Sequence, residues 1–133
     1  MIRRENLYSH LTAKRRERAS FPTRKLWSMN CIQGRVLDFG CGYGADVDFL
    51  RERGVDATGY DPHYAPTFPN GRFDTILCHY VLNVLMQRRQ SEILMEVSEL
   101  LSPTGTAYFS VRRDLRRPGF RFHRLHREYT YQT

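Results

Sequence analysis

Residues 36–44, Val36-Leu37-Asp38-Phe39-Gly40-Cys41-Gly42-Tyr43-Gly44, constrain this chain more than any other stretch. Three apolar residues around one acid predict a short buried strand, and glycines at alternate positions predict that it gives way to a loop. Residues 45–53 then carry Val47, Phe49 and Leu50 at helical spacing and stop at Gly54, the residue type that closes helices. Asp46 and Asp48 fall in the first helical turn, where carboxylates suit the positive helix end; Asp46 is also within reach of a ligand at the loop. Val55-Asp56-Ala57-Thr58-Gly59-Tyr60-Asp61 reads as a second strand ending on an acid. Strand, glycine loop, helix, strand, acid is the nucleotide-binding half of an open α/β sheet, with the second acid placed for ribose hydroxyls.

Asp38 narrows the ligand. A dinucleotide site sets its glycine loop against a pyrophosphate, which a carboxylate just before the loop repels. A ligand carrying a sulfonium and an ammonium group is attracted instead. The spacing Asp-x-Gly-x-Gly-x-Gly, closed by Asp61, resembles the class I S-adenosylmethionine-dependent methyltransferases. The resemblance covers about residues 30–112 and implies a minimal Rossmann-like three-layer α/β sandwich with a mostly parallel sheet. It also implies S-adenosylmethionine as cofactor, with S-adenosylhomocysteine as its spent form. Gly40, Gly42 and Gly44 would then pass under the methionine end, with Cys41 and Tyr43 between them also binding the cofactor. Asp38 would favour the ammonium through the loop amides or a water, Asp61 would grip both ribose hydroxyls, and Pro62 and His63 would flank the adenine.

Later segments extend the resemblance and mark where it departs. Residues 62–71 hold three prolines, which forbid a normal helix, so the helix and third strand usual at this point are expected to be shortened or missing. Residues 73–82 read as the family's fourth strand and its exit. His79 and Tyr80 stand there, where this class meets cofactor and substrate. His79 is read as a base, a cofactor contact or a hydrogen-bonded strand-end histidine, and Tyr80 and Asn83 equally as packing and helix-start residues. Ile93, Leu94, Val97, Leu100 and Leu101 follow a helical period over residues 87–101. Ser102-Pro103-Thr104-Gly105 stops that helix and resembles the family's leucine-x-proline-glycine-glycine turn, ahead of a strand over residues 106–111. Gly59-Tyr60-Asp61-Pro62 with Val81-Leu82-Asn83-Val84-Leu85 is similar to methyltransferases associated with DNA phosphorothioation.

No catalytic residue is assigned. No Asp/Asn-Pro-Pro-Tyr/Phe clamp follows the fourth strand, no Pro-Cys nucleophile occurs, and Lys14 and Lys25 are the only lysines. These absences exclude the usual amino-methylating clamp, cytosine C5 chemistry and a lysine-rich ribose-methylating tetrad. Cys31, Cys41 and Cys78 lack metal-ligand spacing and read as reduced residues of a cytoplasmic protein with no metal. No apolar run reaches the roughly 20 residues of a membrane helix.

The charge of +7 is uneven. Residues 1–27 are net +6, residues 28–111 net −4 and residues 112–133 net +5. Nineteen of the 21 basic residues are arginine, which pairs bidentately with phosphate, so the flanks suggest a nucleic-acid partner. The expected organisation is a basic helical segment over 1–29, with a helix over 3–19 and a second one capped by Thr23 that carries Leu26, Trp27 and Met29 into the domain. A cofactor-binding domain over 30–112 follows, then a basic tail over 113–133 with one strand at 128–133. Two functions are compatible with this reading: a methyltransferase, or a non-catalytic cofactor- or nucleic-acid-binding module derived from one.

Overall fold

Val36–Phe39 forms strand β1, buried at all four positions, and its alternating side chains feed two cores. This computed structural model describes residues 18–111 and the backbone of two further strands, 119–123 and 128–132. β1 lies between β2 (Ala57–Tyr60) and β3 (Phe73–His79), and β4 (Leu101–Ser110) completes a four-stranded sheet of order β2-β1-β3-β4. Every pairing in it is parallel. On one face Leu37, Phe39, Ile76 and Cys78 meet Ile93, Val97 and Leu100 of α3 (Gln87–Leu100). On the other, Val36 and Leu77 meet Val47 and Leu50 of α2 (Ala45–Glu52), with Leu26 and Trp27 of α1 (Phe21–Ser28) packed alongside. Parallel strands buried on both faces read as unbroken apolar runs, which is why β1 and β3 are legible in sequence.

The expected gap in the middle is present. Between β2 and β3 there is no helix and no laddered strand, only an isolated bridge from Asp61 to Ala65. Phe68 covers the end of β2 by packing on Tyr60 at 5.2 Å.

Other expectations need correction. Ser20, not Thr23, is the cap of α1: its side chain accepts from the Thr23 amide, and Pro22 occupies the first turn, where its missing N–H costs nothing. Met29 is exposed and does not enter the core, and neither does Leu94 of α3. Pairing in β4 begins at Leu101 and not at Thr106, because the register slips: Phe73 faces Leu101 and Thr75 faces Thr106. Pro103 sits in that irregularity, where no ladder hydrogen bond is demanded of it. The tail holds two strands where one was expected. β5 (Gly119–His123) and β6 (Glu128–Gln132) pair antiparallel as a separate sheet. All but the last two residues of the helix expected over 3–19 lie outside the described residues. Among the described residues no helix is long and apolar enough to cross a membrane.

Candidate functional site

The strand order reverses at β1: β2 lies on one side of it and β3 on the other. In open α/β sheets the crevice at the carboxyl ends of such strands is where ligands sit. A pocket enclosing about 90 Å³ lies there, with room for several waters or for one end of a ligand. Asp38, Gly40, Cys41, Gly42 and Tyr43 line it from β1 and its loop, Ala45 and Asp46 from α2, His79 and Tyr80 from the end of β3, and Ser20 from the segment before α1.

The loop turns sharply because Gly40 has φ 86°, and a Cβ there would strike the Val81 side chain. The amides of Gly40 and Cys41 both donate to the Tyr60 carbonyl, at 2.7 and 2.9 Å. The Gly42 amide donates to Asp61 Oδ2 at 3.0 Å. The loop is thus fastened to β2 and Asp61, and of the two routes expected from Asp38 to the ligand, by loop amides or by a water, the Gly40, Cys41 and Gly42 amides are engaged elsewhere.

Asp38 is 4% exposed, and no hydrogen bond to its carboxyl occurs among the described residues. Burial pushes its pKa well above the usual carboxylate range, and the nearby Asp46 and Asp61 push it further. A buried carboxylate with no donor calls for a proton or a cationic partner. Asp46, by contrast, has three donors: it accepts from the Ser20 amide and hydroxyl at 2.6 Å each and from the Thr23 hydroxyl at 2.7 Å. The helix-end role read for Asp46 omits this tie to α1.

Asp61 holds its own turn, with Oδ1 accepting from the amides of His63 at 2.9 Å and Tyr64 at 3.1 Å. A carboxylate offers about four acceptor positions, and three are filled. The two-hydroxyl grip expected of Asp61 therefore finds one open position on Oδ2. Pro62 and His63 are exposed in that turn, and they, Gly44 and Asp61 lie outside the pocket lining. Tyr43 stacks on Tyr64 with ring centroids 4.5 Å apart, joining the glycine loop to the turn after β2.

His79 is buried, and its Nδ1 lies 2.8 Å from Ser110 Oγ. Burial lowers its pKa to about 4, so the ring is neutral at physiological pH. Tyr80 has φ 59°, a conformation that a bulky residue adopts at a cost, and its amide donates to the Ser110 carbonyl at 2.7 Å. Burial pushes the Cys41 thiol up to about 12, with Asp38 and Asp61 adding to it, so Cys41 is no nucleophile at neutral pH. Among the described residues no group of acids, cysteines or histidines could hold a metal. Sequence reasoning missed Ser20, although a serine two residues before a proline is a helix-start signal.

Fold and pocket define an open parallel α/β domain with a ligand crevice at its switch point. A family model described as methyltransferase domain matches residues 4–132, and the chain belongs to that family. No curated protein matches the chain. Among solved structures it is similar to PKMT2 from Rickettsia typhi, with 23% identity over 56% of this chain and 20% of that one, at TM-score 0.43. The same protein in complex with AdoHcy gives 22% identity, 57% and 20% coverage, and TM-score 0.40. A DhpI-SAM-HEP complex is similar over 84% of this chain and 68% of that one, at 14% identity and TM-score 0.53, a likeness of fold. The chain spans about one fifth of the length of PKMT2.

Proposed function

We propose that this domain binds S-adenosylmethionine at the switch-point pocket and transfers its methyl group to an acceptor. One observation carries the reading: Asp38 is a buried carboxylate with no donor among the described residues, and it lines a pocket of the size of a ligand's end. S-adenosylmethionine supplies an electrophilic methyl group on a cationic sulfur, together with an ammonium that such a carboxylate attracts. Asp38 would hold the cationic methionine end, the Gly40–Gly44 loop would approach it closely, and the open position of Asp61 Oδ2 would take a ribose hydroxyl. Tyr43 and the turn carrying Pro62 and His63 would flank the rest of the nucleoside. Membership of the methyltransferase domain family supports the same reading.

The arginine-rich flanks favour a nucleic-acid acceptor or partner, and the free cysteines fit the reducing cytoplasm. A second reading, a cofactor-binding module without turnover, draws on the missing helix and strand between β2 and β3. Thermal shift tests the first claim. S-adenosylhomocysteine should raise the melting midpoint by mass action while NAD leaves it unmoved. A larger shift with NAD would overturn the reading of Asp38. Transfer of label from S-adenosylmethionine to any acceptor would remove the second reading.

A further inference from the structure

His79 carries a buried nitrogen that nothing described in the domain uses. His79 is 8% exposed and lines the pocket beside Asp38, Asp46 and Tyr80. Nε2 is buried without a hydrogen-bond partner among the described residues. Nδ1 is engaged with the hydroxyl of Ser110, the residue paired with His79 across β3 and β4. Ser110 is half-buried, so the pair runs from a buried ring nitrogen to a residue that solvent reaches. A buried ring nitrogen left unpaired has lost its hydration with no bond gained in return. A hydroxyl both donates and accepts, and a neutral imidazole has one nitrogen of each kind, so the contact survives in either tautomer.

We propose that His79 and Ser110 form a proton relay that carries the methyl acceptor's proton out of the pocket. The relay rests on the methyltransferase reading and adds to it a catalytic residue, His79, and a residue that acts through it, Ser110. In methylation of a protic acceptor, the acceptor's lone pair forms the new bond to carbon, the carbon–sulfur pair returns to sulfur, and one acceptor proton has to leave. That proton passes to His79 Nε2. The proton on Nδ1 passes to Ser110 Oγ, and the hydroxyl proton of Ser110 passes to water. The imidazole ends neutral, as its other tautomer, and resets by exchange with water when the pocket empties. No imidazolium is formed, in keeping with a site whose burial opposes one and in which only Asp46 acts to favour it. The unpartnered Nε2 is thus explained as a buried nitrogen left unpaired until the acceptor reaches it.

Nitrogen-15 NMR of histidine-labelled protein tests this without an identified acceptor. Spectra are recorded free, with S-adenosylhomocysteine, and with sinefungin, whose ammonium takes the place of the methylated sulfonium. The His79 resonances are assigned by their loss in His79→Gln. With sinefungin bound at pH 7, Nε2 should be the unprotonated nitrogen and Nδ1 the protonated one. Ser110→Ala should move the proton toward Nε2 and weaken sinefungin several-fold more than S-adenosylhomocysteine, while Ser110→Thr keeps the wild-type pattern. Nε2 protonated in the sinefungin complex, or Ala and Thr variants that behave alike, would overturn the relay alone. Failure of both ligands to bind in calorimetry would overturn the methyltransferase reading and the relay with it.

Discussion

Asp46 receives both the backbone amide and the hydroxyl of Ser20, each at 2.6 Å, across 26 residues of sequence. With the Thr23 hydroxyl as third donor, one carboxylate on α2 fixes the start of α1 and the wall of the pocket. Hydrogen bonds to a buried charge contribute about 1.5–3 kcal/mol each, and losing the acceptor strands three donors. Asp46→Ala should therefore destabilise the domain by about 3 kcal/mol or more in urea unfolding. Ser20→Ala, which leaves the Ser20 amide in place, should cost about 1–2 kcal/mol. A loss below about 1 kcal/mol for Asp46→Ala would show that α1 is held by Leu26 and Trp27 alone.

Asp38 and His79 give the free protein opposite responses to acid. The folded-state pKa of Asp38 is raised, so the protein gains stability from it as pH falls through that value toward 3.8 and loses it as pH rises. The pKa of His79 is lowered from 6.5 to about 4, so its contribution is complete above pH 6.5 and is lost as pH falls toward 4. That loss amounts to up to about 3 kcal/mol. Asp38→Asn should raise the urea midpoint of the free protein at pH 7 and weaken S-adenosylhomocysteine by at least about tenfold. His79→Gln should flatten the loss of stability between pH 6.5 and 4.5. An Asp38→Asn protein less stable than wild type at pH 7 would mean that this carboxylate has a partner after all.

The local grammar of the chain showed more than its long-range contacts did. The first strand, its glycine loop, the following helix and the prolines after Asp61 were legible because each is written in consecutive residues. Gly54 closes α2 as expected, with the Val55 amide bonded to the Leu50 carbonyl and the Gly54 amide to that of Arg51. The Asp46 tie to Ser20 and Thr23 was not legible, since hydrogen bonds between side chains far apart in sequence leave no periodicity. The His79–Ser110 contact was hidden for the same reason. The first tail strand had a signal, Phe120 and Phe122 alternating with Arg121 and His123, that the arginine density obscured. The left-handed Tyr80 had none, because nothing in the sequence marks where β3 must turn.

Asp61 has two tasks, and one substitution should reveal both. It caps the turn through His63 and Tyr64 and fastens Gly42, and under the proposed function its remaining acceptor position would take a ribose hydroxyl. Asp61→Ala should weaken S-adenosylmethionine at least tenfold in calorimetry, as expected for a lost charge-assisted bond. It should also lower the melting temperature, since three amides lose their acceptor. Unchanged affinity with lowered stability would leave Asp61 as a residue of the loop only.

Residues 28–111 are net −4, so the basicity of the chain belongs to its two flanks, at +6 and +5. Arms that meet phosphates release counterions, and binding then falls with salt at a log–log slope near −0.9 per phosphate neutralised on duplex and about −0.7 on single strands. Fluorescence anisotropy with labelled oligonucleotides between about 50 and 200 mM salt should show such a slope for the full chain. Removing residues 1–17 spares Ser20 and its bonds to Asp46, so it should flatten the slope while S-adenosylhomocysteine affinity stays within about twofold. If the full chain binds neither duplex nor single strand at about 50 mM salt, the flanks are solvated arms, and the acceptor is a small molecule or a protein.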